Sequence, residues 1–137
     1  MKKYLKILFF GIMTWLVPFL AGFLFYSKAG KLMINELFFK SIMVVVGSLT
    51  GAILLFSYFK KIKADYLREG IIVGLVWFAI NIVLDLIILV PMSKMSLINY
   101  FTQIGLEYLV IPIMSLLLGY SLEHKNDIQK KIMARQA

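Results

Sequence analysis

Cysteine is absent from this chain. Its absence excludes disulfide frameworks, thiolate metal sites, redox pairs and cysteine nucleophiles together. The quinone-linked four-helix thiol oxidoreductases, which need paired cysteines, are excluded with them. Histidine occurs once, at His124, and a single imidazole makes neither a zinc site nor a haem held by two histidines. Acidic residues are few, 7 against 15 Lys and Arg, for a net charge of +8. No phosphate cradle, nucleophile–base pair or metal cluster can be assembled from what remains, so neither a cofactor nor enzymatic activity is expected. Low-complexity linkers, internal repeats and a second domain are missing too.

Apolar residues are plentiful. Over 137 residues the hydrophobic fraction is 61%, with 15% aromatics, and the mean hydropathy is +0.89. Globular domains are about 45–50% apolar. A soluble domain this small has no interior large enough for the excess, so lipid acts as its solvent. Four apolar runs of spanning length occur, at residues 7–25, 41–59, 71–90 and 103–122, followed by a polar tail at 123–137. Each matches the roughly 20 residues that cross about 30 Å of hydrocarbon as a helix. Lipid-exposed backbone must close its own hydrogen bonds, and runs such as residues 71–77 do not alternate as barrel strands do. Short connections at 26–40, 60–70 and 91–102 favour antiparallel neighbours. The expected fold is all-α, one polytopic membrane four-helix bundle running up-down-up-down.

The basic residues lie in short clusters between these runs and form no soluble basic face, which argues against nucleic-acid binding. Eleven fall on one side: Lys2, Lys3, Lys6, Lys60, Lys61, Lys63, Arg68, Lys125, Lys130, Lys131 and Arg135. Four fall on the other: Lys28, Lys31, Lys40 and Lys94. The positive-inside rule then puts both termini and the middle connection in the cytoplasm of a cell-membrane protein. A rival reading takes the first run as a signal peptide ending near Ser27-Lys28-Ala29. Its length and the interruption at Pro18 favour a retained helix.

In the loops, residues 32–39 read as a short interfacial helix, Pro91 as the end of the third helix, and Ser93 or Ser96 as a cap. The tail, with Ile128, Ile132 and Met133 at helical spacing, prolongs the last helix or lies on the membrane surface.

Within the four runs the only charges are Asp85 and Glu107. Counted along the helices, both lie about 7 Å from the bilayer centre, on the same side. Asn81 precedes Asp85 by one turn and Trp77 precedes Asn81 by another. Intramembrane acids generally face a bundle interior or a hydrated cavity. Brought close together, two carboxyl groups would hold a shared proton or a cation. Lys40, at the end of the second run, is the other candidate partner for either acid. The plainer reading has the acids just below the headgroups, bonded to Asn81, Tyr100, Thr102 or water.

Pro18 and Pro112 fall near the middles of the first and fourth runs, where each frees a carbonyl, at Thr14 and Tyr108, and marks a candidate kink. Gly47–Gly51 and Gly70–Gly74 have GxxxG spacing, which suits close helix packing within the bundle or between copies. Trp15 and Trp77 read as core packing, and most tyrosines fall near span ends. Met92 and Met95 alone make no copper site.

The stretch Glu69-Gly70-Ile71, Trp77-Phe78-Ala79-Ile80-Asn81, Asp85-Leu86 and Val90-Pro91, continued by Met95-Ser96, Tyr100, Ile104-Gly105-Leu106, Tyr108-Leu109, Ile111-Pro112 and Gly119-Tyr120, resembles a group of short, four-span prokaryotic membrane proteins. The resemblance covers residues 69–122. It implies a four-helix membrane fold and carries no activity or functional residue with it. The chain differs from the small multidrug-resistance transporters, since its first run lacks their membrane-embedded glutamate. The expectation is a non-enzymatic structural or interaction subunit whose partners are the lipid bilayer, a second copy or another membrane protein. The alternative is a small proton- or cation-coupled transporter using Asp85 and Glu107.

Overall fold

Each apolar run, having no water to bond in lipid, satisfies its own backbone as a helix. The computed structural model describes residues 2–136. Helix α1 covers Lys3–Phe23. Helix α2 covers Glu36–Phe59, with the Asn35 side chain accepting from the backbone N–H groups of Leu37 and Phe38 at 2.9 and 3.3 Å. Helix α3, Tyr66–Leu84, continues through a π-helical turn at Asp85–Leu89 into the single turn α4, Val90–Ser93. A short helix α5 at Leu97–Gln103 and a 3-10 segment at Gly105–Leu109 lead into α6, Val110–Gln136. Four of these stretches are long and apolar enough to cross a membrane: Lys3–Phe23, Glu36–Phe59, Tyr66–Ser93 and Gly105–Gln136. The fold is an all-α membrane bundle, as its sequence pattern requires.

Several boundaries differ from the hydropathy reading. The second helix begins at Glu36 because Asn35 caps it there, so of the short interfacial helix expected over 32–39, residues 36–39 form the first turn of the span and 32–35 are not helical. Pro91 does not end the third span. It sits in the first turn of α4, where a missing N–H costs little, and the helix stops at Lys94, whose φ is +53°. Ser96 is the cap that is used, accepting from the Asn99 N–H at 3.3 Å. The tail prolongs the last helix: α6 runs on to Gln136, with Ile128, Ile132 and Met133 exposed. Helical hydrogen bonding survives in water, whereas hydropathy marks only the part that needs lipid.

Contacts at the ends set the directions of the helices. Lys3 in α1 meets Glu69 in the first turn of α3, and Tyr58 near the end of α2 meets the same glutamate. Glu123, midway along α6, accepts from the Leu67 N–H in the first turn of α3 at 3.3 Å. Helices α1 and α3 therefore run one way, and α2 and α6 the other.

Helix α3 is central, packed between α1 and α6, while α2 lies against α1 and touches α6 more lightly. Small residues allow the α3–α6 approach. A methyl group at Gly70 would come within 2.6 Å of the Ser115 carbonyl oxygen, and one at Gly74 within 2.8 Å of Pro112 Cα. The Ser115 hydroxyl donates to the Gly70 carbonyl at 2.7 Å, closing the contact. Trp77, Val73, Leu55 and Tyr58 make up the fully buried core. Large apolar side chains such as Leu20, Leu49, Ile53, Ile87 and Leu117 face outward, the arrangement a lipid solvent calls for.

Candidate functional site

Polar side chains gather at two levels of the bundle. The first is built around Asp85, which opens the π-helical turn and is 1% exposed. The Trp15 Nε1–H of α1 donates to Asp85 Oδ1 at 2.6 Å, and the Tyr100 hydroxyl of α5 donates to Oδ2 at 2.9 Å. The Tyr108 hydroxyl faces the same carboxyl group from the 3-10 segment. Three separate elements thus close on one carboxyl group, and every group they bring is a neutral donor. Burial, then the Asp85 charge, pushes the Tyr100 phenol well above its ordinary range, so this hydroxyl keeps its proton.

One turn earlier, Asn81 is wholly buried. Its Nδ2 donates to Thr14 Oγ1 and to the Trp77 carbonyl, both at 2.8 Å. Thr14 Oγ1 in turn donates to the Gly11 carbonyl at 2.6 Å, and the Trp77 Nε1–H donates to the Ile7 carbonyl at 2.8 Å. This network fixes which way the amide lies. A flipped amide would set Oδ1 against the Trp77 carbonyl oxygen, where two acceptors repel, so the NH₂ group faces that carbonyl and Thr14. Asn81 Oδ1 is then buried without a donor. A buried acceptor in that state costs about 1–3 kcal/mol. Pro18 withdraws the helical donor of the nearby Thr14 carbonyl as well, so acceptors outnumber donors at this level.

Of the four residues proposed from sequence, Asn81 and Asp85 share one face of the third span. Glu107, half-buried in the 3-10 segment, and Lys40 are neighbours beside it. Among the described residues no hydrogen bond or ion pair joins Asp85 to Glu107 or to Lys40. Lys40 Nζ donates to Gln103 Oε1 at 2.7 Å and pairs with Glu36 at 3.3 Å. Tyr108 lies close to both acids. The donors on Asp85 are Trp15 and Tyr100 rather than Lys40, which is held by Gln103 and Glu36. Trp15 is more than core packing.

The second level lies at the opposite end. Glu69 is 6% exposed, paired with Lys3 through Oε1, and its Oε2 accepts from the Tyr58 hydroxyl at 2.8 Å. Lys6 lies over the Tyr58 ring, 5.2 Å from its centroid. Hydropathy assigns Glu69 to a loop, and reading it as a helix-start acid among basic neighbours would have marked it.

Of the two glycine pairs, Gly70–Gly74 makes the α3–α6 contact described above. A methyl group at Gly47 or Gly51 would meet nothing within 4 Å, so this pair makes no close approach inside the chain. Pro112 lies in the first turn of α6, just after the 3-10 segment, where its missing N–H falls at a helix junction instead of mid-helix. Pro18 lies inside α1, which stays continuous.

An open groove of about 260 Å³ lies between Phe59, Lys60, Tyr66 and Leu122, and a second lies along Ile128 and Ile132 of the tail. Neither includes Asp85, Asn81 or Glu107. No group of three or more His, Cys, Asp or Glu suited to a metal ion occurs among the described residues. In comparisons with known proteins, no family model, no curated protein and no solved structure matches this chain.

Proposed function

We propose that this protein acts without catalysis, as a structural or interaction subunit within a membrane. The observation that carries the reading is how its intramembrane polar groups are occupied. Trp15, Tyr100 and Asn81 bind helices to one another, and Glu69 does the same at the other end. Side chains committed in this way fasten a scaffold. The surface they support is broad and apolar, suited to lipid and to other membrane helices. The proposed setting is the cell membrane with both termini in the cytoplasm, supported by the eleven-to-four distribution of Lys and Arg. The resemblance of residues 69–122 to short four-span prokaryotic membrane proteins agrees with it.

A second reading is a small proton- or cation-coupled transporter centred on Asp85, with Glu107 nearby. One observation favours it: the unpartnered Asn81 Oδ1 beside a buried carboxyl group. Reconstitution into proteoliposomes separates the two. The structural reading expects no proton or sodium flux above that of empty vesicles, with Asp85→Asn changing thermal stability alone. A flux abolished by Asp85→Asn would replace it with the transport reading.

A further inference from the structure

Asp85 is a buried acid to which no cation is bonded among the described residues. Lys40 is engaged by Gln103 and Glu36, and Lys94 is exposed beyond the end of α4. Only neutral groups close on the carboxyl group: the Trp15 indole from α1, the Tyr100 phenol from α5 and the Tyr108 phenol from the 3-10 segment. The charges nearest to this shell are Glu107, close to Tyr108, and Lys40, close to Glu107. One turn away, Asn81 Oδ1 is wholly buried and lacks a donor. With Nδ2 donating to the Trp77 carbonyl and to Thr14, Oδ1 is the end of the amide left without a partner. Residues four apart on a helix are neighbours. The negative charge lacks a positive one, and the orphan acceptor lacks a hydrogen, on adjacent turns of one helix face.

We propose that Asp85 and Asn81 form a proton-binding site, in which a proton taken up on the Asp85 carboxyl group is donated to Asn81 Oδ1. A single proton answers both deficits. It forms one O–H bond on a carboxylate oxygen and neutralises the charge, and its hydrogen supplies the donor that Asn81 lacks. The Tyr100 hydroxyl is a rotor and yields its place on that oxygen when the proton arrives. A metal ion needs a shell of several oxygens at fixed distances. With an indole and a phenol on the two carboxylate oxygens, a proton suits the enclosed space better. Uptake would loosen the ties from α5 and α1 to α3, so occupancy of the site bears on how those elements pack. The proposal shares Asp85 with the transport reading but does not require transport, since a bound proton need not cross.

Infrared spectroscopy of the full chain in lipid vesicles, titrated from about pH 9 to about pH 4, tests the site directly. The carbonyl-stretch band of a protonated carboxylic acid in an apolar setting should grow on acidification. It should shift when the protein carries aspartate labelled with ¹³C at the side-chain carboxyl, and stay in place with labelled glutamate. Labelling changes no side chain, so the assignment survives if Asp85→Asn fails to fold. Where the variants fold, Asp85→Asn removes the band and Glu107→Gln leaves it. Asn81→Val lowers its midpoint by about one pH unit or more, a tenfold or greater weakening of proton binding. A band that follows labelled glutamate, the absence of any buried-acid band, or a midpoint unmoved by Asn81→Val would overturn the proposal. So would a response to sodium replacing choline at constant pH. A band without proton flux across the same vesicles keeps the site and discards transport.

Discussion

Asp85 accepts from Trp15 and Tyr100, so its removal harms its partners more than itself. Asp85→Ala strands an indole N–H and a phenol O–H in the bundle interior. Each buried donor left unpaired costs about 1–3 kcal/mol. The expected result is a large fall in thermal stability in detergent, with Asp85→Asn much milder because its amide oxygen still accepts one donor. Equal stability for the two variants would mean that these hydrogen bonds do not hold α1 and α5 to α3. Glu69 allows a similar contrast. Glu69→Ala strands the fully buried Tyr58 hydroxyl and should cost about 1–3 kcal/mol. Lys3→Ala removes only the half-exposed side of the pair and should cost about 0–1 kcal/mol.

At the scale of elements, two glycine pairs with the same spacing behave differently. Gly70 and Gly74 let α3 approach the backbone of α6, and a methyl group at either meets backbone atoms that cannot move aside. Gly70→Ala should therefore separate the helices and lower the unfolding temperature. Gly47 has open space around it in α2. Gly47→Ala should be neutral or stabilising by up to about 1 kcal/mol, since alanine is the better helix former. If Gly47→Ala instead lowers stability and also dissociates an oligomer on a native gel, α2 packs against a second copy there. The GxxxG spacing alone gives both pairs equal weight. Their difference comes from α3 lying between two neighbours while α2 has one firm contact and one light one.

Across the whole molecule, the absence of cysteine becomes an experimental advantage. Single cysteines at Lys28→Cys and Lys125→Cys report sidedness against an empty background. A membrane-impermeant thiol reagent added to intact cells should label Lys28→Cys and spare Lys125→Cys until the membrane is opened. The reverse pattern would overturn the cytoplasmic placement of the termini. The alternating directions of the helices require the termini to share a side, so one labelled position orients both termini and all three connections.

The sequence by itself determined the solvent and the architecture. Four apolar runs, each about as long as a bilayer is thick, leave a helical bundle as the arrangement that satisfies every backbone group in lipid. It also singled out Asp85 and Asn81, because a charge and an amide in an apolar run are conspicuous. Sequence could not name their partners. Trp15 lies 70 residues from Asp85 and is apolar by composition, and nothing in its neighbourhood marks its N–H as the donor. Glu69 is inconspicuous for the opposite reason: it stands beside Arg68 just outside an apolar run, and only the fold brings Lys3 of α1 and Tyr58 of α2 against it. Hydropathy measures the cost of meeting lipid one residue at a time. Which donor meets which acceptor depends on how helices rotate and approach, and only the tertiary structure decided that, leaving Asn81 Oδ1 as the one buried side-chain nitrogen or oxygen among the described residues with no hydrogen-bond partner.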